Sequence, residues 1–335
     1  MPQPLKTILI GAGNWGKNVL RNLLKFDDIN LAVVEPDNKR RHEIIANIPK
    51  YHDLDELLNN QKIDCAVICS PIASHPEIIK KLLSKRIHTL CQKPAFRTND
   101  ELTKIAPILN SETGKDLTLM ACHTFCYHPA IENIKNKVIR YELGDIRYYK
   151  STRINLGLFN RDNNCLDDLF VHDASILCYL FPDEIIHYVS ATGADNIKKG
   201  IIDTANVTIK YKSGLLANID VSWVSAVKNR QIIIVGDKKT VVYDDVKTEG
   251  KVCYYDAGVD YNDDLLFSYR KGDMFSPRLS ETEAIENELR HFFDCVRGKI
   301  EPKTGINHIS KVTKMLEAAN QSVLNDGAPI YKIFG

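Results

Sequence analysis

Three glycines in the run Gly11-Ala-Gly13-Asn14-Trp15-Gly16 follow an apolar stretch and precede a helical pattern. A dinucleotide pyrophosphate needs this arrangement. Gly11 permits a tight turn, Gly13 lets backbone approach the phosphates, and Gly16 allows a helix to pack close to the strand. The free N–H groups opening that helix then face the negative charge. Glu35 closes the next apolar run, about the ~20 residues downstream at which a carboxylate meets the adenosine ribose. A carboxylate there accepts hydrogen bonds from ribose hydroxyls and repels a 2′-phosphate, which favours NAD over NADP. Lys39, Arg40 and Arg41 weaken that preference.

Two further segments belong beside such a cofactor. Ser70-Pro71 and Gln92-Lys93-Pro94 each end an apolar run, and open α/β sheets bind ligands outside the carboxyl ends of their strands. Taken alone, Lys93 either projects into that cleft or lies solvated on the surface. Asp168 and His172 are four residues apart in a helical pattern, so they share a face that Ser175 and Tyr179 extend. Asp173 is turned away by about 100°. On residue types alone the Asp168–His172 pair is either a surface ion pair or a proton-transfer couple. An imidazole with an ordinary pKa of about 6.5 suits reversible proton transfer at neutral pH. Cys122-His123-Thr-Phe-Cys126-Tyr-His128 holds metal-ligating residue types but lacks a second paired half, so no metal is expected.

The elements that must position these residues fall into two patterns. Leu5–Ile10, 30–34, 64–69, 88–91 and 117–122 are short, β-branched-rich runs separated by helical periodicities. They predict a parallel sheet covered on both faces, a doubly wound Rossmann domain over residues 1–123. Beyond it, 201–211, 214–222, 231–235 and 240–243 read as strands joined by hairpins at Lys212-Ser213-Gly214 and Gly236-Asp237-Lys238-Lys239. With helices over 128–138, 166–181, 282–297 and 305–323, residues 124–335 read as an α+β domain with an open, mainly antiparallel sheet. On the third of these helices Phe292 and Phe293 read as core. Glu283, Glu286, Glu288, Arg290 and Arg297 read as a solvated face.

Composition narrows the class. The chain has 335 residues, with 44 Lys and Arg against 43 Asp and Glu, a net charge of +1. That balance gives no general attraction to nucleic acid or to anionic lipid. No apolar run approaches the ~20 residues that span a bilayer, and the N-terminal pattern is not that of a secretory signal. Nine cysteines scattered through apolar runs read as reduced, mostly buried thiols. The expectation is a cytoplasmic globular protein.

With these residues in hand, the chain resembles the Gfo/Idh/MocA oxidoreductase family. The likeness runs through GAGNWG, CSPIASHPEI, CQKPA, ACHTFCYHPAI and LDDLFVHDASILCYLF, in the family's order. GNWGKNVLRNL and RINLGLFNRD resemble the branch acting on nucleotide-linked sugars. The resemblance implies that Gly11, Gly13, Asn14, Trp15, Gly16, Glu35, Ser70, Pro71, His75, Gln92 and Lys93 hold NAD. It implies that Lys93, Asp168 and His172 are catalytic: His172 as general acid/base, Asp168 orienting sugar or imidazole, and Lys93 stabilising the alkoxide. In some relatives the lysine itself transfers the proton. It also places His123 at the end of the fifth strand beside the active site and Tyr127 in the sugar pocket. Arg153 and Asn155 are substrate candidates, the arginine fitting a carboxylate or phosphate bidentately or serving in a structural ion pair.

Gln92 stands where the family commonly carries Glu. Gln keeps the length and an acceptor oxygen but loses the charge. That leaves open an altered pH dependence, weaker activity, or cofactor binding without turnover. The resemblance therefore implies an NAD-dependent oxidoreductase acting on a ring hydroxyl or ketone of a nucleotide-linked sugar, assembled as a homodimer or homotetramer. Its alternatives are a free polyol dehydrogenase of the inositol type and a non-catalytic dinucleotide sensor.

Overall fold

The computed structural model describes residues 3–157, 159, 163–261 and 267–331. Positions 158 and 160–162 of the RINLGLFNRD stretch lie outside the described residues. The chain divides into two compact units, Met1–Tyr127 with Thr282–Thr313, and His128–Glu281 with Lys314–Gly335.

In the first unit, β1 (Leu5–Ile10), β2 (Ile29–Val34), β3 (Lys50–Tyr51), β4 (Cys65–Ile68), β5 (His88–Gln92) and β6 (Leu119–Cys122) form a sheet in the order β3-β2-β1-β4-β5-β6. Every pairing in it is parallel. Parallel strands need covered crossovers. These run through α1 (Asn14–Leu23), α2 (Asn38–His42), α3 (Leu54–Asn60), α4 (His75–Ser84), α5 (Asn99–Thr103) and α6 (Ala106–Leu109). Ile8, Leu9, Val33, Val67 and Leu90 are completely buried, as strands covered on both faces require.

The second unit holds α7 (Pro129–Ile139), β7 (Ile146–Leu156), a π-helical turn over Leu166–Phe170, α8 (Val171–Leu180), β8 (Ile186–Ala194), β9 (Thr204–Tyr211), β10 (Leu216–Ser222), β11 (Val224–Gly236), β12 (Thr240–Asp244) and β13 (Val252–Tyr255). β14 (Gly258–Tyr261) and β15 (Phe267–Arg270) pair as a separate ribbon, and β16 (Met274–Phe275) closes the main sheet at one edge. Among the described residues that sheet runs β16-β13-β12-β11-β7-β10-β9-β8. It is mixed: β7 and β10 are parallel, and the other pairs antiparallel. Both hairpin turns read in the sequence join the expected strands, β9 to β10 and β11 to β12.

Three expectations change. The central strand β7 is absent from the sequence reading, because its inward positions include Ser151 and Arg153, which break the apolar alternation. The second domain is not continuous from 124. α9 (Ala284–Val296) and the start of α10 (Ile306–Leu324) belong to the first unit, where Phe293 meets Phe26 edge-on at 5.2 Å. A helical stripe tells that a face is buried but not against what. Finally, Glu288 is not on a solvated face: it is 2% exposed and sits one turn before Phe292 on the buried stripe. No helix among the described residues is long and apolar enough to cross a membrane.

Candidate functional site

Parallel register sets the first half of the site. Ile10 lies opposite Val34 and Ile68, Ile68 opposite Cys91, and Cys91 opposite Ala121. The next residues, Gly11, Glu35, Cys69, Gln92 and Cys122, therefore end their strands side by side along one edge. Gly11 adopts φ +93°, and a Cβ there would lie 2.8 Å from the Cys69 carbonyl group. A Cβ on Gly16 would lie 2.2 Å from Gly11 O. Around Gly13 the nearest atom is 3.9 Å away, an Arg40 guanidinium nitrogen. The turn is thus compressed at its two outer glycines and open at the middle one, where a pyrophosphate would rest. α1 starts at Gly13 without a side-chain cap, so its first N–H groups remain available to phosphate oxygens. These features fit a dinucleotide.

Glu35 shapes this cradle as well as lining it. Its two oxygens accept from Ala12 N at 2.7 Å and Asp37 N at 2.9 Å, and the residue is 4% exposed. Each carboxylate oxygen takes more than one donor, so ribose hydroxyls fit beside these bonds. Arg41 is held by Glu35 O and Asn38 Oδ1. Trp15 is exposed at the loop, next to Asn14. Ser70 shares a hydroxyl contact of 2.7 Å with Ser74, whose own hydroxyl caps Pro71 O. His75 is buried with both ring nitrogens at backbone carbonyls, Ser70 O at 2.9 Å and Pro94 O at 3.0 Å. It ties the end of β4 to the Lys93-Pro94 turn, whose peptide bond is cis.

Behind that turn lies a buried polar group that the sequence reading only partly anticipates. His123 follows β6, its Nδ1 has no hydrogen-bond partner among the described residues, and its ring lies 5.0 Å from that of His308. Burial holds His123 well below the usual imidazole range, and His308 and Lys93 push it further down. Burial lowers His308 to about 4. Glu288 accepts from the Thr124 hydroxyl at 3.0 Å through one oxygen, and the other has no partner. Burial pushes its carboxyl up to about 8, against the opposing pull of that hydroxyl. Tyr127 is buried, its hydroxyl 2.9 Å from the Thr304 hydroxyl.

The second unit gathers Asp168, His172, Arg153 and Asn155. The helix expected over 166–181 begins as a π-turn, a wider coil common at functional sites, before α8 continues it. Asn164 anchors that turn, accepting from Asp167 N and donating to Asn320, which contacts Asp167 in turn. α8 is apolar almost all round, and Asp168, His172 and Tyr179 are the partly exposed positions from 168 to 180. Asp168, His172 and Tyr179 of the expected face are thus partly exposed, whereas Ser175, read as extending it, is fully buried. Trp223 Nε1 donates to Asp168 Oδ2 at 3.0 Å, and Ser175 caps His172 O.

Asp173 and Arg153 form the buried anchor beneath. Asp173 accepts from Arg153 Nε at 3.0 Å and from the Tyr149 hydroxyl at 2.9 Å, and the Arg153 side chain is 3% exposed. Of the two roles open to Arg153, the structure displays the ion pair. Burial would lower its pKa, but Asp173's charge and hydrogen bond raise it. Arg230 lies directly across from it on β11 and is held more loosely. It reaches Asn155 Oδ1 at 3.3 Å and Asp245 at 3.8 Å, and its Nε has no partner among the described residues. Sequence reasoning missed Tyr149, Asp173, Trp223, Arg230 and Glu288. Only Glu288 carried a usable signal, its four-residue spacing from Phe292.

The Gfo/Idh/MocA oxidoreductase family model, an NAD-binding Rossmann fold, matches residues 5–120, and that family's C-terminal domain model matches 133–242. The scyllo-inositol 2-dehydrogenase (NAD(+)) of Bacillus subtilis is 25% identical over 98% of this chain and 97% of its own. Among solved structures, UDP-N-acetylglucosamine 3-dehydrogenase GnnA of Acidithiobacillus ferrooxidans superposes with TM-score 0.81 at 18% identity, covering 96% of this chain and 98% of that one. The WlbA dehydrogenase of Bordetella pertussis, in complex with NADH and UDP-GlcNAcA, gives TM-score 0.80 at 16% identity, covering 98% and 99%.

Proposed function

We propose, from the premise that the chain belongs to the Gfo/Idh/MocA oxidoreductase family, that it moves hydride between NAD and a ring hydroxyl or ketone of a nucleotide-linked sugar. The observation that carries this reading is the Asp168–His172 face, the partly exposed stripe of an otherwise buried helix that starts in a π-turn. Bound NAD supplies the hydride acceptor at nicotinamide C4. Gly11, Gly13, Asn14, Trp15 and Gly16 cradle the pyrophosphate, Glu35 takes the ribose, and Ser70, Pro71, His75 and Gln92 shape the floor. Oxidation removes a hydride from the carbinol carbon and a proton from its hydroxyl. His172 takes that proton, Asp168 fixes the orientation of imidazole or sugar, and the Lys93 ammonium stabilises the developing alkoxide. His123, Tyr127, Arg153 and Asn155 act around the substrate, Tyr127 and Arg153 from beneath through packing and charge.

The choice of nucleotide-linked sugars draws support from the RINLG segment and from the substrates named for the GnnA and WlbA enzymes. A second reading, a free polyol dehydrogenase, draws support from the full-length match to a scyllo-inositol dehydrogenase. As part of the same reading, two or four copies assemble through the open face of the second sheet, which light scattering on the purified chain tests.

The deciding experiment follows nicotinamide absorbance with NAD and panels of UDP-, dTDP- and GDP-sugars and free inositols. Reduction by a nucleotide sugar, lost in Lys93→Met and in His172→Asn while both still bind NAD, is the expected result. Reduction by inositols alone moves the protein to the second reading. Full turnover in both variants sinks the catalytic assignment.

A further inference from the structure

We infer that Trp223 is a positioning residue that holds the Asp168 carboxylate in place, with Gly157 as the gap that admits its ring. This rests on the catalytic reading of Asp168 above. Trp223 is fully buried, in the single residue between β10 and β11. Its backbone is fixed on both sides: its N–H donates to Asp203 O at 2.8 Å, and its carbonyl accepts from Gly157 N at 2.8 Å. The indole lies so close to residue 157 that a Cβ there would be 2.3 Å from Cδ1 and 2.4 Å from Cγ. Phe159 closes over it edge-on, with ring centroids 5.4 Å apart.

The one polar atom of this clamped ring, Nε1–H, meets Asp168 Oδ2 at 3.0 Å. A buried indole N–H without an acceptor is costly, so ring and carboxylate constrain each other. Indole has no acceptor atom, so the bond always runs from nitrogen to oxygen. It favours the ionised carboxylate and fixes which oxygen faces Trp223. The orientation of the carboxylate about its own axis is thereby fixed from one side by a neutral donor. Apolar packing alone would be served as well by Phe at 223 and would not need glycine at 157.

The test pairs a solution signal with kinetics. In Trp15→Phe protein, Trp223 is the sole tryptophan, and its ¹⁵N indole resonance is followed against pH with and without Asp168→Asn. A titrating resonance that becomes flat in the Asn variant is expected, and one indifferent to Asp168→Asn overturns the inference without any need for substrate. Kinetically, Trp223→Phe should keep NAD affinity and melting temperature close to wild type. It should lose about tenfold or more in kcat, and the acid limb of its kcat/KM profile should move up by about one pH unit. Gly157→Ala, which displaces the ring, should shift the same limb. A Trp223→Phe enzyme with wild-type kcat and pH profile beside an inactive Asp168→Asn also overturns the inference and leaves the proposed function standing. Full activity in Asp168→Asn instead removes the catalytic reading, while the indole resonance still decides whether Trp223 holds Asp168.

Discussion

Each unit buries ionisable side chains, and the two treat them differently. In the second unit Arg153 and Asp173 are 2% and 0% exposed, yet both are matched: guanidinium to carboxylate, and the remaining carboxylate oxygen to Tyr149. In the first unit Glu288 and His123 are each 2% exposed, and each leaves a polar atom without a hydrogen bond among the described residues. Burial is equal, so the partners decide the outcome. A matched pair keeps its charges in low dielectric, whereas an unmatched group moves its pKa and becomes neutral. Buried charge thus fixes α8 against its sheet, whereas burial drives the Glu288 carboxyl and the His123 imidazole of the first unit toward their neutral forms.

The largest expected effect comes from breaking the matched pair. Asp173→Ala removes the carboxylate matched to the buried Arg153 guanidinium, and should cost about 3–5 kcal/mol of stability. Urea denaturation followed by tryptophan emission measures it. The double variant Arg153→Met, Asp173→Leu should recover most of the loss, since a well-packed apolar pair replaces a buried ion pair at little cost. A single variant as stable as wild type would break the comparison.

Glu288→Gln should have an effect that is small near pH 5 and grows with pH. An unfolded glutamate titrates near ~4.3, and Glu288 in the folded protein near about 8. Between those values the folded state holds a proton that the unfolded state has released. Stability from this group is therefore complete below the lower value and lost as pH rises through the upper one. Gln cannot ionise, so melting curves of variant and wild type should converge near pH 5, with the variant increasingly favoured toward pH 9. Parallel curves across that range would mean that Glu288 is ionised throughout.

The smallest effect belongs to the exposed pairs. Glu283 bridges Arg21 at 2.6 Å and Lys25 at 3.2 Å, with its side chain 41% exposed. Although Arg21 draws its carboxyl down to about 2, water and side-chain entropy offset the attraction. Glu283→Ala should shift the melting temperature by only about one or two degrees, and by less in high salt. A shift rivalling Asp173→Ala would erase the distinction between buried and exposed pairs.

How much of this was legible depended on whether a residue's neighbours are local. β1 was read with the bounds it has, and the glycine turn, Glu35 and the strand-end segments fell along one edge as expected, because parallel pairing of apolar runs leaves few registers. The Asp168–His172 face was legible from helical spacing, though not the π-turn that begins it. β7 was illegible because Ser151 and Arg153 point inward, and Arg153 is tolerable there only with Asp173 opposite. Glu288, which the charge pattern places on a solvated face, is buried.

The amino-acid sequence by itself determined the parallel sheet, the dinucleotide turn and the helix face carrying Asp168 and His172, since each follows from spacing within one element or its immediate neighbour. Tertiary structure alone decided that residues 282–313 return to the first unit, that Trp223 reaches Asp168 from 55 positions away, and that Arg153 keeps its charge in the core. Those outcomes depend on which surfaces meet across long stretches of chain. Desolvation and pairing act only once the surfaces have met.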